Sequence, residues 1–155
     1  MESNLEIVRI TPNLNLMDEI KQIELEAFGD GSIDEWVIVP LMRYGRIYGA
    51  LLEGKLIGII EMIISEKGQG YIFSFAIARE YRGQGFGSRF LLALIDELSR
   101  ESHLCEICLT SAEENEGANY IYRKMGFEAT EKLKNEYGFG IDRVYWRKNL
   151  SRIKG

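Results

Sequence analysis

Phe75-Ala76-Ile77-Ala78-Arg79-Glu80-Tyr81-Arg82-Gly83-Gln84-Gly85-Phe86-Gly87-Ser88 joins the end of one apolar run to the start of another. The first run, Tyr71 to Ala78, is apolar on both faces, the pattern of a buried central strand. The second, Gly85 to about Arg100, sets Phe86, Phe90, Leu94 and Leu98 at i+4 steps, with Leu91 and Ile95 beside them. That spacing predicts an amphipathic helix. Between the runs, Gly83, Gly85 and Gly87 let the backbone turn sharply and approach a ligand closely. The first N–H groups of a helix have no internal partner, and with the helix dipole they form an anion site. Arg82 adds a fork-shaped donor suited to phosphate, so a pyrophosphate is the natural guest. A plain glycine-rich turn is the competing reading. A dinucleotide fingerprint would need an acid roughly 20 residues on, ending a strand, and Glu101 near that spacing lies at a helix end. A Walker loop is excluded, because no Gly-Lys-Ser/Thr follows.

Working outward, His103-Leu104 leads into a strand at Cys105–Thr110, and a helix from about Asn115 to Met125 ends at Gly126, a natural residue beyond a helix end. Strands at 71–78 and 105–110 joined by a helix should be parallel, through a right-handed crossover. Toward the N-terminus, Leu5–Ile10 reads as a strand broken by Thr11-Pro12. A helix then runs to about Phe28, with Leu16, Ile20, Ile23 and Ala27 at helical spacing. Ser32-Ile33-Asp34-Glu35 reads as a capping box, which starts a second helix at Ser32, and Pro40 should distort or end it. Arg46–Glu53 and Lys55–Ser65 form a hairpin about Glu53-Gly54-Lys55. Phe127–Lys132 and Asp142–Lys148 make a final antiparallel pair around the loop Leu133–Gly140. The order is β-α-α-β-β-β-α-β-α-β-β: an α/β (α+β) fold with a mixed central sheet of about seven strands and about four helices. With no linker or repeat, residues 1–155 are expected to be one domain.

Composition narrows the function. Hydrophobic residues at 46% and charged residues at 28% exclude disorder and coiled coil. No apolar run reaches the ~18 residues of a membrane span. Met1-Glu2-Ser3-Asn4 does not read as a signal or transit peptide, so a cytoplasmic location is expected. The net charge of −5 disfavours nucleic acid as a partner. From Asn13 to Trp36 the acids are Asp18, Glu19, Glu24, Glu26, Asp30, Asp34 and Glu35, against Lys21 as the one base. Arg143, Arg147, Lys148, Arg152 and Lys154 follow Asp142. These are either two solvated faces or, for the first, an acidic mouth for a cationic substrate. Cys105 and Cys108 would point to opposite faces of a strand, and with one histidine, His103, no zinc set is expected.

A second motif supports the first. In Asn115-Glu116-Gly117-Ala118-Asn119-Tyr120-Ile121-Tyr122-Arg123-Lys124-Met125-Gly126-Phe127, Asn115 can cap the helix, and Ala118 and Tyr122 share a face. Tyr122 carries a phenol able to donate a proton, or serves as a core tyrosine. Here the sequence resembles the GNAT superfamily of acetyl-CoA-dependent N-acetyltransferases. Arg82, Gly85 and Gly87 meet that family's Arg/Gln-x-x-Gly-x-Gly/Ala loop, and residues 115–127 meet its Asn-x-x-Ala-x-x-x-Tyr-x-x-x-Gly-Phe segment.

The resemblance implies acetyl-CoA as cofactor. Its pyrophosphate would sit on backbone N–H groups of Arg82, Gly83, Gln84, Gly85, Phe86, Gly87 and Ser88. Its pantetheine would run along Phe75, Ala76 and Ile77, with Asn115 holding the pantetheine region and Tyr122 facing the sulfur. A primary amine of a small molecule or of a peptide or protein, expected from the acidic first helices to belong to a cationic acceptor, would attack the thioester directly in a ternary complex once it has lost its proton. Taking its proton near pH 7 costs roughly 4–5 kcal/mol for an ordinary lysine-type amine, so a base is expected. Some members carry a glutamate on the cofactor strand; Tyr71–Ile77 has none. Glu61, interrupting the apolar run Leu56–Ile64, is one candidate, with a surface position as its alternative; Glu35 is another, with capping as its alternative; a water chain is a third. Trp36, Tyr44 and Tyr48 are candidates for an acceptor pocket, as are Tyr137 and Phe139 on a mobile loop. The missing strand glutamate also leaves a non-catalytic acyl-CoA-binding module as an alternative. A homodimer is compatible with the resemblance.

Overall fold

The computed structural model describes residues 4–150; the N-terminal Met1-Glu2-Ser3 and the basic Arg152 and Lys154 lie outside them. Eleven regular elements follow in the expected order. They are β1 (Leu5–Ile10), α1 (Met17–Phe28), α2 (Glu35–Tyr44), β2 (Arg46–Leu52), β3 (Lys55–Ile64), β4 (Gln69–Ile77), α3 (Phe86–Leu98), β5 (Glu106–Ser111), α4 (Glu116–Lys124), β6 (Glu128–Leu133) and β7 (Arg143–Asn149). The seven strands form one mixed sheet in the order β1-β2-β3-β4-β5-β7-β6. The chain divides into two compact units. One holds the residues up to 63 together with 72–94, and the other holds 64–71 and the residues from 95 onward.

In the first unit, β1 and β3 each pair antiparallel with β2. The β2–β3 turn sets both Glu53 (φ 50°) and Gly54 (φ 84°) in the left-handed region, the two-residue hairpin geometry whose twist matches the strands. Its core gathers Ile10, Ile20, Ile23, Ile38, Met42, Ile47, Leu56, Ile59, Ala76 and Ala78. Two expectations about α2 need correction. Ser32 does not start it; Asp34 is the cap, its carboxylate accepting from the Trp36 N–H at 3.1 Å. Pro40 does not end it either. A proline removes a single intrahelical donor, and Ile38, Leu41 and Met42 are packed on the core on either side of it, so tertiary burial carries the helix through to Tyr44.

In the second unit, β7 pairs antiparallel with both β5 and β6. The parallel sense of the start of β4 and of β5 is visible in their contacts. Cys105 N–H donates to the Gly68 carbonyl at 2.9 Å, the Gln69 amide donates to Glu106 at 2.7 Å, and Tyr71 meets Thr110 at 3.2 Å. Both chains advance together along this ladder. Its buried side chains include Leu104, Ile107, Leu109, Phe127 and Trp146. Cys105 is exposed and Cys108 buried, the opposite faces expected of them.

Strand β4 differs from expectation in one respect. Ile72, Ser74 and Ala76 are buried, whereas Tyr71, Phe75 and Ile77 are half-buried and Phe73 is exposed. An apolar composition on both faces therefore does not correspond to burial on both. The Ser74–Ala76 face joins the α1–α2 core, while Phe75 and Ile77 face the start of α3.

Candidate active site

The turn between β4 and α3 is built as the glycine spacing requires. Gly83 (φ 74°) and Gly85 (φ 85°) both lie in the left-handed region, and a Cβ at either would meet nothing within 4 Å. The glycines are thus needed for conformation rather than for room. Arg89 N–H makes the first intrahelical bond, to the Gly85 carbonyl at 3.2 Å, so the amides of Phe86, Gly87 and Ser88 precede it and have no helical acceptor. At Gly87 the built Cβ position is 3.6 Å from Phe75 and 3.7 Å from Ile77, which packs the first turn of α3 on the end of β4. Phe75 stacks edge-on against Phe90 at 6.1 Å. Arg82 folds back to donate Nε–H to the Ile77 carbonyl at 2.9 Å, and Gln84 donates to the Glu80 carbonyl at 3.1 Å. The loop is therefore pre-set by its own side chains, and Arg82 ties it to the last residue of the strand.

In the second unit, Asn115 caps α4 as expected, its side-chain oxygen accepting from the Ala118 N–H at 3.3 Å. Gly126 (φ 88°) follows the last turn. Tyr122 is buried, with its ring 6.0 Å from that of Phe127 and 5.9 Å from that of Trp146. Burial raises its phenol above the ordinary tyrosine range, and the Arg143 guanidinium opposes that rise. Arg143 is itself anchored on Thr110, donating to the hydroxyl at 3.1 Å and to the carbonyl at 2.9 Å.

Glu61 is not on the surface. It is 0% exposed on β3, beside Glu24 of α1 and Ser74 of β4, which are 2% and 6% exposed. Both Glu61 carboxylate oxygens, Glu24 Oε2 and Ser74 Oγ have no hydrogen-bond partner of normal geometry among the described residues. Loss of solvent and the neighbouring Glu24 push Glu61 up to about 9, and burial also raises Glu24. Two buried carboxylates cannot both ionise cheaply, so the pair holds a proton at neutral pH. Glu24 escaped the sequence reading because the acidic run around it reads as a solvated face. Its i+4 spacing from Ile20, on the apolar stripe of α1, was the available signal.

Three other acids of that stretch are engaged locally. Glu35 pairs with Lys21 at 2.9 Å, which holds its carboxyl below the ordinary range; Glu26 accepts the Arg79 N–H at 3.0 Å; Asp34 caps α2. Trp36 and Tyr44 line an exposed apolar surface with Val37, Pro40, Leu41 and Ile63, but Tyr48 is buried and does not join them. Around Tyr137, the loop expected to be mobile is stapled. Tyr137 meets the Tyr71 hydroxyl at 2.8 Å, Asp142 accepts the Asn135 N–H at 2.9 Å, and Asn135 accepts the Gly140 N–H at 2.7 Å. Phe139 at its tip is 99% exposed. No helix among the described residues is long and apolar enough to cross a membrane.

Comparison with known proteins agrees with this arrangement. Residues 16–127 match the model of the acetyltransferase (GNAT) family. An uncharacterized N-acetyltransferase of Methanocaldococcus jannaschii is 27% identical over 140 residues, 90% of this chain and 89% of that protein. N-alpha-acetyltransferase 30 of Schizosaccharomyces pombe is 35% identical over 74 residues, 48% of this chain and 49% of that protein. The crystal structure of Ard1 from Thermoplasma volcanium superposes with a TM-score of 0.82 at 19% identity, covering 96% of this chain and 99% of that one, a likeness of fold. With the glycine turn ahead of α3, the capped α4 and the family match over most of its length, the chain belongs to the GNAT family of N-acetyltransferases, enzymes that take their acetyl group from acetyl-CoA.

Proposed function

We propose that this chain transfers acetyl from acetyl-CoA to a primary amine, by direct attack of the amine on the thioester in a ternary complex. The observation that carries the reading is the pre-set turn from Gly83 to Ser88, whose left-handed glycines and helix-start amides of Phe86, Gly87 and Ser88 suit a pyrophosphate, while the Arg82 amide is already bonded to the Arg79 carbonyl at 3.3 Å. The residues that would hold the cofactor are Arg82, Gly83, Gln84, Gly85, Phe86, Gly87 and Ser88 for the diphosphate, and the backbone of Phe75, Ala76 and Ile77 with Asn115 for the pantetheine. Acetyl-CoA supplies the activated carbonyl. The amine nitrogen forms a bond to that carbon, the C–S bond breaks, and Tyr122 donates its proton to the departing thiolate. Arg143 supports that role, because its charge favours loss of the phenol proton. Glu61 is sealed beside Glu24 and Ser74 and keeps its own proton up to about 9, so in this reading it takes the amine proton only in the fraction of protein that has lost that proton, and then through water rather than by touching the amine.

The test is turnover of acetyl-CoA against a panel of small and peptide amines. Replacing Tyr122 with Phe should lower kcat by about 10²-fold, the scale of one general acid, while the affinity for acetyl-CoA stays near that of the parent. Equal kcat in the two proteins removes the acid role. Glu61→Gln should lower kcat and move its pH profile; an unchanged profile assigns the amine proton to water instead. A second reading, an acyl-CoA-binding module without transfer, draws support from the acid-free strand β4 and the sealed Glu61. Tight coenzyme A binding with no transfer to any amine of the panel selects it.

A further inference from the structure

Asn119 lies one turn before Tyr122 on the same face of α4, and both are buried. A polar side chain in that position needs partners, and Asn119 has a full set. Its Nδ2 donates to the Ala112 carbonyl at 3.2 Å and to the Glu113 carbonyl at 3.0 Å, across the turn between β5 and α4. Its Oδ1 accepts from the Ser111 hydroxyl at 2.6 Å. Ser111 Oγ in turn accepts the Trp146 indole N–H at 2.8 Å. The chain of bonds has one possible direction. Two carbonyls fix which end of the amide donates, the amide oxygen fixes the hydroxyl rotor, and the rotor leaves a lone pair for the indole, which can only donate. Ser111, Asn119 and Trp146 are 4%, 5% and 1% exposed, so the chain is shielded from bulk solvent. Trp146 ends it against the Tyr122 ring at 5.9 Å, while the Arg123 guanidinium lies over the same indole at 5.3 Å.

We propose that the Asn119–Ser111–Trp146 chain is the positioning device of the reaction, holding the Tyr122 ring so that its hydroxyl is aimed at the leaving sulfur. Ser111 and Asn119 are positioning residues, because they act only through Trp146 and the helix. The inference rests on Tyr122 as the proton donor and adds what sets its aim. Ser111 lies outside the motifs that mark the fold and Asn119 stands at an unspecified position of the second, and strand spacing alone does not show that Ser111 faces the helix.

A double-mutant cycle tests it. Ser111→Ala removes the hydroxyl that links amide and indole. We expect it to lower kcat about 10-fold while KM for acetyl-CoA changes by less than about twofold, and Ser111→Thr to restore most of the rate. In a Tyr122→Phe background, Ser111→Ala should change kcat by less than about twofold, because nothing remains to be aimed. Should Ser111→Ala not fold, Trp146→Phe, which removes the same indole donor and keeps an aromatic ring, takes its place in the cycle. An equal loss in both backgrounds, or no loss in either, overturns the positioning role and leaves Tyr122 as the acid. If Tyr122→Phe itself keeps the parental kcat, the acid role fails and the positioning role fails with it.

Discussion

Glu61 and Glu24 illustrate how one residue changes meaning with its surroundings. Each is an ordinary acid in the chain, yet both are sealed in the first unit, where burial raises both and Glu61 keeps its proton at neutral pH. Glu61 holds its proton up to about 9 in the fold against an ordinary 4.5. Between those values the folded state binds more protons than the unfolded one, so stability is greatest on the acid side and declines as pH rises. Carboxyls that are lowered in the fold, Glu35 by Lys21 and Glu106 by Arg147, stay ionised throughout that window and contribute no slope of their own there. Denaturant midpoints measured from pH 5 to pH 9 should therefore fall in the parent protein and fall less in Glu61→Gln. An unchanged slope in the variant would show that Glu61 does not hold the extra proton.

The informative elements are the two helix starts. At α3 the glycines do conformational work, as φ of 74° and 85° with open space around both positions indicates. Gly85→Ala should cost about 1 kcal/mol of stability from the left-handed backbone alone. It should weaken coenzyme A binding further, by about tenfold in titration calorimetry, because the amides that follow would be re-aimed. A stability loss without an affinity loss would leave the turn structural. At α4 the cap is a side chain, and Asn115→Ala should cost about 1 kcal/mol, read from thermal melting. Both starts were legible, because capping and glycine signals are local. The start of α2 was not, since the local pattern points to Ser32 and the folded chain caps the helix with Asp34. Nor was its persistence past Pro40, which depends on a core that no local window contains.

At the scale of the whole molecule, four of the seven acids expected to form a mouth are engaged, Glu35 by Lys21, Glu26 by the Arg79 amide, Asp34 by the α2 cap and Glu24 by the buried pair. What remains is Asp18, Glu19 and Asp30 together with the net charge of −5, acting at long range. Its attraction for a cationic amine should weaken with added salt over a Debye length of about 8–10 Å near physiological ionic strength. The kcat/KM for a cationic acceptor should accordingly fall several-fold between low and high salt, while that for a neutral amine acceptor stays level. Equal salt dependence for the two would remove net charge as a source of selectivity.

The order of strands and helices, the glycine turn and the capped helix bearing Tyr122 were determined by the sequence alone. Each depends on residues close together in the chain, where periodicity and backbone preference act directly. The raised proton affinity of Glu24 and Glu61, 37 residues apart, and the bond chain from Asn119 through Ser111 to Trp146 were decided by tertiary structure. Burial and hydrogen-bond direction are properties of a side chain's neighbours, and those neighbours arrive from distant elements only when the chain has folded.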